Sequence, residues 1–259
     1  MRRIASTLII TILGALAIGR PADAQTRPPA PRPAPPTDRI FVSIDGTYQA
    51  ATKDFNDGAS FPVYAETAVF TTAYQVKPGP SFNIAGSGLV MRRLAVGVAV
   101  SRYSRETPVA VSASIPHPFF FNRARSLTAD VTGMYREERA VHVQVRALLP
   151  VQSRRLQAAV FGGPSFFTVT QDVLNQVGYT EAYPYDTVTA ANGQSANVSV
   201  SKTGFNAGAD IGFFFARHIG VGGIAQYSGT TVKLDSAGGD TVDAKVGGFQ
   251  VGGGLRLRF

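Results

Sequence analysis

The chain has 259 residues, is 44% hydrophobic and only 16% charged, and carries a formal net charge of +8. It has no cysteine, which excludes a disulfide framework, a Cys-ligated metal site and a Cys-anchored lipid. The basic residues form no aromatic-interleaved cluster, so the charge does not mark a nucleic-acid binder; acidic lipid headgroups or lipopolysaccharide phosphates suit it better.

Met1-Arg2-Arg3 is a basic start, Ile4 to Ile18 is apolar but too short to span a bilayer comfortably, and Ala22-Asp23-Ala24 has the small residues of a cleavage site. This predicts a signal peptide over 1–24 and an exported mature chain starting at Gln25. Residues 25–39 form a spacer, Pro-rich through Pro36. Proline fixes φ and lacks an N–H, so the stretch is expected to be an extended tether in the periplasm.

From Phe41 onward the period is two. Val42, Ile44, Gly46 and Tyr48 alternate with Ser43, Asp45, Thr47 and Gln49; Val141, Val143 and Val145 alternate with His142, Gln144 and Arg146. The same pattern recurs near 79–91, 94–105, 155–169, 203–215, 218–232 and 244–259, which with 40–53 and 136–149 makes eight predicted strands. Gly162-Gly163-Pro164 interrupts the fifth and predicts a bulge or kink. Connections at 91–94, 151–154 and 216–218 are short; those at 54–78, 106–135 and 170–202 are long and polar, and 234–243 is intermediate. Strict alternation of short and long connections predicts an all-β fold, an antiparallel up-and-down transmembrane β-barrel over 40–259 with long external loops. Tyr64 to Val76 has strand composition and is expected to extend the wall or form a hairpin above the membrane. A ten-stranded barrel, which would also need Leu127 to Tyr135, is the alternative.

The last strand puts Phe249, Val251, Leu255, Leu257 and Phe259 on one face and Gln250, Arg256 and Arg258 on the other. With the leader and the alternating strands, this ending resembles the small outer-membrane β-barrels of Gram-negative bacteria, the OmpA-like and OmpW-like group. The resemblance implies a bacterial outer-membrane location and a final strand read by the barrel-assembly machinery. Gly254, Leu257 and Phe259 match that signal, whereas Gly252 stands where a polar residue is usual.

An eight-stranded barrel has an interior that side chains fill. Asp45, Glu138, His142, Gln144, Arg146, Asp210, Arg256 and Arg258 fall on the inner face by phase. Buried charges require partners, so a lumen network is predicted, with Asp45 near Arg256 or Arg258 across the closing strands. His142 shares a face with Glu138 but has no marked nucleophile beside it, and no set of residues has metal-ligand spacing. Neither catalysis nor a cofactor is expected. Phe119, Phe120 and Phe121, flanked by Pro and Arg, form a candidate contact patch in a long loop, with Tyr179, Tyr183 and Tyr185 as candidate packing partners. The expected function is a structural, envelope-integrity or surface-interaction role with a filled lumen. The alternatives are a narrow channel for small or hydrophobic solutes and, less favoured, a lipid A-modifying enzyme.

Overall fold

The computed structural model describes residues 38–50, 54–235 and 241–259. The expected signal peptide and the spacer through residue 37 lie outside the described residues. The spacer's last two residues are described, and Arg39 N–H donates to Phe259 O at 2.6 Å.

Among the described residues twelve strands follow in chain order: β1 (Ile40–Gln49), β2 (Phe55–Val63), β3 (Glu66–Tyr74), β4 (Gly79–Met91), β5 (Leu94–Glu106), β6 (Val109–Ile115), β7 (Arg125–Val131), β8 (Tyr135–Leu148), β9 (Leu156–Glu181), β10 (Val188–Phe214), β11 (Ile219–Asp235) and β12 (Thr241–Arg258). Eight of them close an antiparallel barrel in the order β1-β12-β11-β10-β9-β8-β5-β4. These are the eight strands expected from the two-residue period. Ile44 shows why the ring closes in one register: it sits opposite Leu255 on one side and Ile84 on the other, all outward. A slip of one residue would turn the apolar set into the lumen.

The other four strands form a separate sheet, β2-β3-β6-β7. They occupy what the sequence marks as the first two long loops. Tyr64 to Val76 contributes β3, which is paired to β2 in a hairpin; β7 contains Leu127 and pairs with β6. Neither enters the barrel, which overturns the ten-stranded alternative. The reason is that β3 and β6 bury only one side, with Phe70 and Tyr74 or Val109, Val111 and Ile115 pointing into a core.

Residues 170–202 are not a loop. The β9 and β10 ladder continues to Glu181 and Val188, so two strands of 26 and 27 residues rise far beyond the 9–11 residues that cross a bilayer. At Gly162-Gly163-Pro164, where a bulge or kink is expected, the β8–β9 pairing is interrupted between His142↔Ser165 and Val145↔Gly162, but the β9–β10 ladder carries no bulge. Pairing runs in one register from Phe161↔Gly208 through Pro164↔Phe205. Here the glycines serve close approach: a side chain on Gly163 would strike the Val143 carbonyl of β8.

The strands change sides in polarity as they rise. On β11, outward Val221 and Tyr227 give way to outward Thr231 and Lys233, while inward Gln226 and Ser228 give way to inward Val232 and Leu234. β9 does the same, with outward Phe166 followed by Thr168, and inward Ser165 by Phe167 and Val169. Below this level the barrel is apolar outside and largely polar inside, down to a small apolar cluster at the short-turn end; above it the order is that of a water-exposed protein.

Closure between β1 and β12 depends on small residues. A Cβ on Gly254 would collide with the Ile44 carbonyl and the Asp45 backbone. Gly254→Val is therefore expected to block the seam. Refolded in detergent, the variant should lack the fast-migrating band of an unboiled, closed barrel on SDS gels; retention of that band would show that the seam tolerates bulk.

Candidate functional site

The lumen is filled in layers. At the short-turn end Phe41, Leu148 and Ala159 pack together, with Leu89 against them. Arg258 straps this end. Its guanidinium lies 3.9 Å from the Phe214 ring centroid, donates to Arg217 O and Arg154 O, and pairs with Asp38 at 3.2 Å. Arg258 thus joins the turns at the mouth and is not part of the deeper network expected for it.

Above this floor lie four buried charges. Arg256 donates to Asp45 Oδ1 at 2.5 Å and to Asp210 Oδ1 at 3.0 Å; Arg146 donates to Asp210 Oδ2 at 2.5 Å. Two cations and two anions cancel, and β1, β8, β10 and β12 each supply one. Of the two candidate partners for Asp45, the structure selects Arg256. A void of about 10 Å³ among Phe41, Arg146, Asp210, Phe214 and Arg256 has room for about one water.

The next layer is uncharged. One chain of side chains crosses it: Asn83 donates to Gln226, Gln226 to Gln250, Gln250 to Gln49, and Gln49 to Glu138. On the opposite wall His142 is held at both ring nitrogens, by Ser101 at 2.9 Å and Ser165 at 2.7 Å. Asn206 donates to Ser165 and accepts from Gln144. His142 therefore has no ion pair with Glu138, and neither ring nitrogen is open to a lipid outside.

Glu138 pairs instead with Arg136, which is fully buried and also donates to Gln171 Oε1 and Lys245 O. Glu138 Oε2 accepts Gly247 N–H at 2.9 Å, and Gly247 has φ +85°, a conformation that admits glycine without strain. The sequence reading missed Arg136. Its position two residues before Glu138 on the same face was the available signal.

The lumen is capped by an apolar core. Phe55, Tyr74, Val109, Val111, Phe167, Val169, Leu174, Val232, Leu234 and Val246 belong to it, contributed by both sheets. Phe55 and Tyr74 stack at 4.6 Å, and Leu174 N–H donates to the Tyr74 hydroxyl. Burial pushes the Tyr74 phenol up from its ordinary pKa.

At the outer end three hairpin tips are tied together. Arg125, buried on β7, donates to Glu181 at the end of β9, to Tyr185 O and to Pro116 O. Tyr64 donates to Glu181 Oε2 at 2.8 Å; that bond holds its phenol pKa above the ordinary value. Asn122 N–H donates to Glu66, and Arg123 pairs with Asp186 at 3.1 Å. Phe119 meets Tyr185 edge to face at 5.5 Å, and Arg123 lies 5.5 Å over Phe120. Even so, Phe119, Phe120 and Phe121 are 70%, 55% and 73% exposed. Tyr183 is exposed beside Tyr185, whereas Tyr179 packs below with Phe70 and Ile115.

A closed eight-stranded antiparallel ring with an oily outer belt and a polar, packed interior is the fold of a small outer-membrane β-barrel. Among solved structures the chain is similar to the outer membrane protein OprG from Pseudomonas aeruginosa, with a TM-score of 0.50 at 8% identity over 86% of this chain and 96% of that one. It also matches the outer membrane protease OmpT from Escherichia coli, with a TM-score of 0.47 at 9% identity over 86% of this chain and 97% of that one. The likeness is one of fold. No family model and no curated protein matches the chain.

Proposed function

We propose that this protein is a non-conducting barrel of the bacterial outer membrane whose working surface is the crown of external strands. The observation that supports it is the stacked filling of the lumen: an apolar floor, a neutral quartet of charges, a layer of amides, and an apolar cap. A hydrated ion meets no continuous path through such layers. The role then falls to envelope integrity or surface contact, through the rigid crown and its exposed Phe119–Phe121 tip. On the outer wall Arg102 and Arg139 share Glu137 just above the apolar residues Val100 and Val141. Their free guanidinium nitrogens suit lipopolysaccharide phosphates at that height.

Planar-bilayer recording tests the reading. The refolded protein is expected to insert without steady single-channel steps. Reproducible steps of one size would restore the channel alternative.

A further inference from the structure

The net positive charge is concentrated at one end. Every short connection of the barrel carries arginine: Arg92 and Arg93 between β4 and β5, Arg154 and Arg155 between β8 and β9, Arg217 between β10 and β11. Arg39 and Arg258 flank β1 and β12. The same rim has no lysine, and its acidic side chain among the described residues is Asp38, which is taken by Arg258. The other six arginines are exposed, and none makes a side-chain hydrogen bond or ion pair among the described residues. By contrast, acids and bases are nearly balanced in the crown, and the quartet in the lumen is neutral.

Two features decide what this rim meets. First, the arginines are distributed around the whole ring and not gathered on one side. A discrete ligand would touch a fraction of them, whereas a lipid leaflet surrounding the barrel touches all. Second, each of the six lies within two residues of an exposed apolar side chain at the edge of the belt: Ile40 beside Arg39, Met91 beside Arg92 and two residues from Arg93, Leu156 beside Arg155 and two residues from Arg154, and Phe215 and Ile219 two residues either side of Arg217. That places the guanidiniums at the depth of lipid phosphates, where a long cationic side chain keeps its stem on the hydrocarbon and its head at the interface.

We propose that the six arginines form a collar that recruits anionic phospholipids around the short-turn end of the barrel. The proposal rests on the membrane-spanning reading above. Where the short turns face the periplasm, the collar lies in the inner leaflet of the outer membrane.

The test uses the full protein refolded into phosphatidylcholine bilayers with a trace of spin-labelled phosphatidylglycerol or spin-labelled phosphatidylcholine. The fraction of motionally restricted label reports which lipid borders the protein. One arginine on one phosphate corresponds to about a fivefold preference. A several-fold preference for phosphatidylglycerol is expected, reduced toward one in 1 M salt. It should also vanish when Arg39, Arg92, Arg93, Arg154, Arg155 and Arg217 are all changed to Gln. Fast migration on unboiled gels checks that the variant has closed, and the salt arm on the unaltered protein holds if it has not. Equal restriction of the two labels in the unaltered protein would overturn the collar. So would a preference retained by the folded variant, or lipid indifference together with sedimentation on purified cell-wall sacculi. Failure to insert into the bilayer at all would instead overturn the membrane-spanning reading.

Discussion

Asp210→Ala is expected to be among the most damaging single changes in the barrel. The carboxylate binds both Arg146 and Arg256, so its loss leaves two guanidiniums in the lumen with Asp45 as the remaining anion of the quartet. A buried charge stripped of its partner costs about 3–5 kcal/mol. Urea unfolding in phospholipid vesicles, followed by the gel shift, should show a fall of that order. The double variant Arg146→Ala/Asp210→Ala restores one cation to one anion, Arg256 to Asp45. It should therefore be more stable than Asp210→Ala despite removing more contacts. A double variant that is weaker by the sum of the two single losses would mean that packing, not charge balance, governs this layer.

Arg125→Ala should act at the opposite end and leave the barrel closed. Arg125 holds Glu181 and two backbone carbonyls, so three tips lose their common anchor at once and Glu181 keeps only Tyr64. Losing hydrogen bonds to a charged group, a local penalty of about 2–3 kcal/mol, would open the tips about a hundredfold more often. Limited chymotrypsin digestion reads this directly. Cleavage near Phe119–Phe121 should accelerate by that order while the fast-migrating core band persists. Unchanged cleavage would show that the tips are held by the apolar core beneath them.

The wall of the barrel was legible because lipid outside and polar groups inside impose one period over eight segments. The pairing of Asp45 with Arg256 was legible to within two candidates, since both arginines share a face and only the register separates them. The crown was not. Its β2–β3 turn is Tyr64-Ala65, with φ of 50° and 64°, a conformation whose usual markers are Gly, Asn or Asp. Without those markers, Tyr64 to Val76 shows strand composition but no fold-back. The strand at 188–202 is rich in small polar residues, and pairing with β9 holds it extended where composition suggests a loop. Arg136 went unnoticed because it is the first residue of the strand expected over 136–149, next to the long connection, although its partner Glu138 was recognised.

The crossover from oily-outside to oily-inside on β9 and β11 has a consequence for depth. Sinking the protein by two residues along its strands, about 7 Å, would draw Thr168 of β9 into hydrocarbon and bring Thr231 and Lys233 of β11 closer to it. Raising it by as much would lift Tyr227 and Phe166 into water. Either displacement is opposed on both strands at once, so the molecule carries its own waterline, written into the chain and independent of what floats beside it.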